Sequence, residues 1–328
     1  MTEAYLKSKE NALKIQKSIS NIIWLDGVDN FYGFLSMISS SLYVSAVELS
    51  LYNIYHKTEF TPGELFHLKN QIEEEQVNIS GVHNIFADIE NFQGSIFTSE
   101  ELYEKVAKRI EDYIKYAQML GVKHLSLDYM DFLTLDDIEK EEADKKFIAL
   151  LERIDKASGG EVEIHISPTD TSVRDYLVSY VEAIELLKKA KHLQNIRVLV
   201  DLKEIFNTLS FDLKYFKDNI HYLNHFHISD LDGGPITFDD IPMHNKIVNV
   251  SYSKDYANEF FVMKVKNLDD EKKQDLSNYN LYIHVFKEIY QVPLELSPFC
   301  SRLFPNLVYR HLSAEGPDME HLLNYDQH

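Results

Sequence analysis

Eight short runs rich in β-branched and other apolar residues recur along the chain, at 18–25, 45–51, 77–83, 123–127, 161–166, 197–201, 221–228 and 259–265. Between them lie longer stretches whose apolar residues repeat with a helical period, at 30–41, 61–75, 99–120, 135–158, 172–191 and 211–219, and a last one at 269–290 follows the eighth run. The clearest, 99–120, carries Leu102, Val106, Ile110, Ile114 and Ala117 on one face, a Ser99-x-x-Leu102 start and Gly121 as its stop. Eight strand–helix units in 328 residues predict an α/β fold, a (β/α)₈ barrel whose chemistry sits on the loops at the C-terminal ends of the strands. With no Gly/Ser-rich linker, residues 1–291 read as one domain.

Composition narrows the setting. A hydrophobic content of 45% with 12% aromatics supports a large core. The balance of 33 Lys and Arg against 53 Asp and Glu gives 33 − 53 = −20, a charge that repels phosphate backbones and anionic lipid, so neither nucleic acid nor a membrane surface is expected as a partner. A single cysteine, Cys300, excludes an intramolecular disulfide and a thiolate zinc cluster. Residues 1–17 are charged and helix-like, without the apolar core of a signal peptide. No apolar run approaches the ~18 residues needed to cross a bilayer. The expectation is a soluble, cytoplasmic protein.

Two regions fall outside the repeating pattern. Residues 233–254 are too long for an ordinary strand-to-helix connection and suit a lid. Residues 292–328, with four prolines and Phe299, Leu303, Phe304, Val308, Tyr309 and Leu312, read as an irregular C-terminal extension packing on the barrel or on a second subunit of a homodimer.

The seventh run ends in His225-Phe226-His227-Ile228-Ser229-Asp230, which places two imidazoles, a hydroxyl and a carboxylate just before a turn. Such side chains at a strand end suit an active site, and the alternative is a pair of histidines satisfied within the core.

Several strand ends together resemble the xylose isomerase-like TIM barrels, the sugar phosphate isomerase/epimerase family that is also related to endonuclease IV. The resemblance runs from about Ser18 to Tyr290. It is carried by Ser20-Asn21-Ile22-Ile23-Trp24, Val47-Glu48-Leu49-Ser50, Ile79-Ser80-Gly81-Val82-His83-Asn84, Ile96-Phe97-Thr98-Ser99-Glu100, Ile114 to Val122, Val200-Asp201 and the His225–Asp230 motif. It implies a site for one divalent cation held by Glu, Asp, His and Glu from strands five to eight, where the cation polarises a sugar carbonyl while a carboxylate removes the α-proton to form an ene-diolate. No nucleotide cofactor is implied.

Carried over residue by residue, Asp201 takes the aspartate position and His227 the histidine position, with a helix N-cap as the other reading of Asp201. Glu204 stands where the family often has a substrate-contacting histidine. The strand-five register, counted back from Pro168, gives His165 in place of glutamate, with Glu163 as the alternative two residues earlier on the same face. Imidazole there would suit manganese, zinc or iron. On strand eight Lys264 falls at the glutamate position, and a protonated ammonium cannot ligate a cation. Lys264 could instead pair with Asp201 across the barrel mouth, or a competing alignment would make 292–296 the eighth strand and supply Glu295. His83, Asn84, Glu48, Trp24, His225 and Asp230 are candidates for sugar hydroxyls or stacking, as is Phe97; Asp128 and Asp131 lie near the mouth among many acids.

Three functions remain open. The chain is a sugar isomerase/epimerase acting on a small sugar or polyol, with Asp201, His227 and His165 as a doubtful metal set and Lys264, Glu204, Asp201 and His165 as catalytic groups. Alternatively, it is a degenerate barrel that binds a carbohydrate-like ligand or a protein without chemistry. The third reading is metal-free lyase or aldolase-type chemistry at Lys264.

Overall fold

Each of the eight runs becomes one strand. The computed structural model describes residues 16–23, 27–40, 44–168, 174–207, 212–229 and 260–265, together with Gly234 and His244. Strands β1 (Gln16–Ser20), β2 (Ala46–Leu49), β3 (Asn78–Val82), β4 (His124–Leu127), β5 (Glu163–Ile166), β6 (Ile196–Asp201), β7 (Leu223–Ile228) and β8 (Phe260–Met263) form a closed parallel barrel in sequence order. β8 pairs with β1 in the register Ser18 to Val262, and β7 with β8 at His227 to Val262. This closure makes the 259–265 run the eighth strand and removes the need for one at 292–296, so Lys264 stands at the strand-eight mouth position; Glu295 and the extension lie outside the described residues.

Around the barrel run α1 (Val28–Ser39), α2 (Leu51–Tyr55), α3 (Pro62–Glu74), α4 (Glu100–Leu120), α5 (Lys140–Ser158), α6 (Tyr180–Lys189), α7 (Leu202–Asn207) and α8 (Leu213–Asp218). Local chemistry explains their ends. Thr61 and Glu64 cap α3 reciprocally with Pro62 in its first turn, and the Ser99 hydroxyl accepts the Leu102 N–H at the start of α4. Gly121, in the left-handed conformation with φ 75°, ends α4. The expected face of α4 is buried.

Four expectations need correction. The first strand ends at Ser20 rather than 25. There the Ser20 hydroxyl accepts the Ile22 N–H, Asn21 clasps the backbone N–H and C=O of Ser50, and a 3₁₀ turn (Asn21–Ile23) follows. The helix expected from 172 begins at Tyr180, because the buried Arg174 donates to the carbonyls of Ser167, Leu177 and Met130 and holds a loop before it. The helix expected from 135 begins at Lys140. Two short helices, α2 and α7, follow directly on strand ends where none was expected.

Alternation along the strands sorts residues into two layers. Val47, Leu49, Leu125, Leu127, Ile164, Ile166, Val198, Val200, Phe226 and Ile228 join one continuous apolar core with the helices. The other parity faces across the barrel and is mostly polar, with Ala46 and Val262 as a separate apolar pair. Two register shifts modify it. Ser80 is an extra residue in β3 opposite Val47 and Glu48, and His225 is an extra residue in β7 opposite Leu199 and Val200, with φ 58°. The second bulge lets Asn224 bond Glu163 and His225 bond Glu48, so two successive side chains act inside the barrel.

Gly81 makes room for this interior. A Cβ there would lie 3.1 Å from the His124 carbonyl oxygen, 3.2 Å from its Cβ and 3.5 Å from a Glu48 carboxylate oxygen. Gly81→Ala is expected to destabilise the protein by about 1–3 kcal/mol through overpacking, read as a lower denaturation midpoint; an unchanged midpoint would mean the interior is looser than this.

Candidate active site

The polar layer begins with Glu48, fully buried on β2. Its carboxylate accepts the His225 Nε2–H at 2.7 Å and the His227 Nε2–H at 3.0 Å from the opposite wall, and His83 Nε2 lies 3.8 Å away. Burial works against the charge, yet the three imidazoles hold its carboxyl well below the usual carboxylate range. Burial in turn pushes His227 down to about 3 against the pull of Glu48, and it lowers His225 as well.

The other nitrogen of His227 determines what the mouth can hold. Nδ1 accepts a hydrogen bond from the Lys264 ammonium at 3.2 Å, and the same ammonium donates to Asp128 Oδ2 at 2.5 Å. Lys264 is only 3% exposed; burial opposes its charge, but Asp128 and Asp201 together raise its pKa above the ordinary lysine value. Its partner is therefore Asp128, not the expected Asp201, which lies within electrostatic reach without a direct bond. Asp128 also takes the Asn84 N–H at 2.8 Å and His83 Nδ1–H at 3.3 Å, and the Ser20 hydroxyl closes the chain on His83 Nε2 at 2.7 Å. Lys264 also lies over the Tyr129 ring, 5.2 Å from its centroid.

Asp201 ends β6 at 8% exposure, and burial raises its carboxyl above the ordinary aspartate value while Lys264 works in the opposite direction. The Lys203 N–H binds its Oδ1 at 3.1 Å, so the capping reading holds alongside its place beside Lys264. Tyr180, on α6, fixes the Asp201 backbone by accepting its N–H at 2.7 Å and donating to its C=O at 3.1 Å. Glu204 follows on α7 and is half-buried.

Other candidates fall elsewhere. His165 does not reach the mouth: parity puts Ser167 at the inward-facing end of β5, one level above it, and His165 pairs downward with Glu163 at 2.9 Å. His83, Glu48 and His225 are buried beneath the mouth. Asn84, φ 56°, bonds Ser50 and Asn53. Phe97 is core, packed on Tyr176 with centroids 4.9 Å apart. Asp131 is half-buried and burial raises its carboxyl. Trp24 and Asp230 lie outside the described residues, as do the 269–290 helix and all of the 233–254 stretch except Gly234 and His244; the latter is buried and donates to the Ser229 carbonyl at 2.9 Å. The sequence reading missed Tyr180 and His124, and placed Asp128 near the mouth without singling it out from the many other acids. His124-x-Ser126-x-Asp128, polar at every second position of a strand, was the signal available.

Among the described residues, two groups have ligand atoms within 4.8 Å of one another: Glu48, His225 and His227, and His124, His165 and His225. The mouth itself does not fit a divalent cation, because a fixed ammonium already bonds Asp128 and the free nitrogen of His227.

The chain matches the family model described as xylose isomerase-like TIM barrel over residues 43–245, more than half its length, and belongs to that family. Among curated protein sequences none matches. Solved structures share the fold: D-psicose 3-epimerase from Clostridium cellulolyticum H10, crystallised with D-tagatose (TM-score 0.61, 11% identity, 85% of this chain and 98% of that one). A second is the 3-keto-D-glucoside 4-epimerase of E. coli (0.62, 12%, 84% and 99%), and a third is the IolI protein with a bound zinc atom (0.59, 11%, 88% and 99%). No helix among the described residues is long and apolar enough to cross a membrane.

Two predictions follow from the network. Lys264→Met leaves Asp128 as an uncompensated buried charge and is expected to cost about 3–5 kcal/mol in urea denaturation, while Lys264→Met/Asp128→Asn recovers most of it. Near-additive losses would contradict the pairing. The second concerns acid. His165 and His227 titrate near about 3 when folded against 6.5 unfolded, because burial disfavours their charge, so unfolding takes up protons between those values. Stability is full above pH 6.5 and falls as the pH drops towards 3, by about 1.4 kcal/mol per pH unit per proton; Glu163, held at about 2 against 4.5 despite burial by its bonds to His165 and Asn224, adds to the fall below pH 4.5. Calorimetric melts across this range should show that decline; a flat profile from pH 6.5 to 4 would contradict it.

Proposed function

We propose that the chain is a sugar isomerase/epimerase-like barrel that moves a proton on a small sugar or polyol without a divalent metal at its mouth. Asp201 takes the proton α to the sugar carbonyl, the electron pair moves onto the carbonyl oxygen, and the Lys264 ammonium meets that developing charge. Return of a proton to the other face of the same carbon gives the epimer, with Glu204 on α7 as the donor while Asp201 keeps the proton it took. Return of the proton from Asp201 to the neighbouring carbon, as the hydroxyl proton moves between the two oxygens, gives the isomer. The observation that carries this reading is the Lys264 ammonium, kept charged between Asp128 and Asp201 at the strand ends. Among the described residues Asp128 and His227 use two of its three N–H donors, leaving one for a ligand oxygen. Burial raises the Asp201 carboxyl above the ordinary aspartate value, which makes it a stronger base for proton abstraction. Asp128, His83 and Ser20 serve by fixing the ammonium in place.

The epimerases with which the chain shares its fold support a carbohydrate-like ligand, and the −20 charge supports the expectation that nucleic acid is not one. A second reading, a barrel that binds such a ligand without chemistry, is favoured by how completely the Lys264 pair is buried.

Deuterium exchange distinguishes them. Ketohexoses, ribulose and their phosphates are incubated with the protein in D₂O containing EDTA and followed by proton NMR. The reading expects exchange α to the carbonyl of at least one sugar, unaffected by EDTA and reduced about 10²–10⁴-fold by Asp201→Asn. Activity that requires added manganese overturns the metal-free chemistry; sugars that raise the melting temperature without exchange select the binding reading.

A further inference from the structure

Below the mouth, three imidazoles from β4, β5 and β7 meet in the barrel interior: His124, His165 and His225, none of which serves the chemistry proposed above. Their ring centres are 5.2 Å (His124–His165), 5.1 Å (His124–His225) and 5.1 Å (His165–His225) apart. An imidazole bound at about 2.0–2.1 Å has its ring centre about 3.2 Å from the ion, so two at a tetrahedral angle have centres about 5 Å apart. One ligand nitrogen from each lies within 4.8 Å of the others. The rings, 25°, 27° and 6° from parallel, turn inward on binding to bring these atoms to the roughly 3.3 Å spacing of a tetrahedral site.

The hydrogen bonds of His165 and His225 follow one pattern. His165 Nε2–H donates to Glu163 at 2.9 Å and His225 Nε2–H donates to Glu48 at 2.7 Å. In both rings Nδ1 is buried and has no hydrogen-bond partner among the described residues. A carboxylate on one ring nitrogen and a lone pair left on the other is the arrangement that orients a histidine and raises its basicity for a metal. His225 reaches this position through a bulge with φ 58°, a backbone conformation that costs energy for a residue other than glycine. Gly81 keeps space clear beside His124 and Glu48.

The overlapping Glu48, His225 and His227 group fails the same test. Were His227 Nε2 to ligate an ion, its Nδ1 would carry the proton and face the Lys264 ammonium at 3.2 Å, donor against donor.

We propose that His124, His165 and His225 form a binding site for a borderline transition-metal ion, zinc, cobalt(II) or iron(II), inside the barrel and separate from its mouth. Three neutral imidazoles select such ions over magnesium and calcium. A fourth ligand completes the tetrahedron as water or a small anion. The site lies towards the N-terminal end of the strands, where His124 pairs in register with the partly exposed Glu163; that end of a barrel serves stability, so the ion fastens β4, β5 and β7 together.

The full-length protein, expressed in cobalt-supplemented medium, tests this by metal analysis, visible spectroscopy and X-ray absorption. One cobalt per chain is expected, with the d–d bands of a tetrahedral ion and three imidazole nitrogens at about 2.0–2.1 Å. His165→Phe and His124→Gln lose the ion, Asp201→Asn keeps it, and Glu163→Gln weakens affinity about 10–100-fold in chelator competition. Circular dichroism identifies any variant that fails to fold, and the absorption spectrum of the wild type then decides alone. A wild type without metal, fewer than three imidazole ligands, or an ion lost in Asp201→Asn but retained in His165→Phe overturns the proposal; the imidazoles would then be a packed layer only.

Discussion

A charge inside a closed barrel has no water to stabilise it, and Glu48 is fully buried in the middle of this one. Much of the described interior follows from neutralising that carboxylate with hydrogen bonds. His225 and His227 donate their Nε2–H to it, which leaves Nδ1 of His227 as an acceptor and calls for a donor there. Lys264 supplies the donor and brings a positive charge, which Asp128 balances. Asp128 in turn fixes His83, and His83 fixes Ser20. Six strands contribute to this single chain of bonds, each setting the tautomer or charge of the next. Apolar side chains usually fill such barrels; here their place is largely taken by a polar network whose members depend on one another.

That dependence bears on chemistry. A divalent ion and an ammonium both offer positive charge to a developing oxyanion, but they make different demands on their surroundings. The ion needs lone pairs from several groups at once, whereas the ammonium needs acceptors and presents N–H bonds in fixed directions. With Lys264 in position, His227 and Asp128 serve as its acceptors and Asp201 faces its charge. Among the described residues, lone pairs without a partner occur one level lower, on His165 and His225. The interior therefore has two levels with opposite character, a mouth that holds a cation of its own and a histidine layer that offers lone pairs.

The barrel was legible because its signals are local and repeated. Eight strand-like runs alternate with seven helical stretches, and all eight strands fall within or beside the expected runs. Boundaries slipped where a side chain redirected the backbone, as Asn21 does by clasping Ser50 and Arg174 does before α6. Strand-end arguments put Asp201, His227 and Lys264 at the mouth, and the closed barrel places them at those strand ends. Such arguments could not find the partner of Lys264, because Asp128 is one of 53 acids and becomes distinctive only when the barrel closes β4 opposite β8. His165 was expected one level too high, since counting back from Pro168 ignored that Ser167 shares its face and lies nearer the mouth. The bulge that turns His225 inward left no pattern in the sequence; only pairing against β6 reveals it.

An ammonium, not a metal ion, occupies the ligand position of His227. Long-range ¹H–¹⁵N NMR of the histidine side chains, with the His227 signals assigned by their loss in His227→Gln, reads it directly. The expected spectrum is that of a neutral ring at pH 7 with its proton on Nε2 and an unprotonated Nδ1 that accepts a hydrogen bond from Lys264. A ring protonated on Nδ1, with Nε2 bound to an ion, would contradict it.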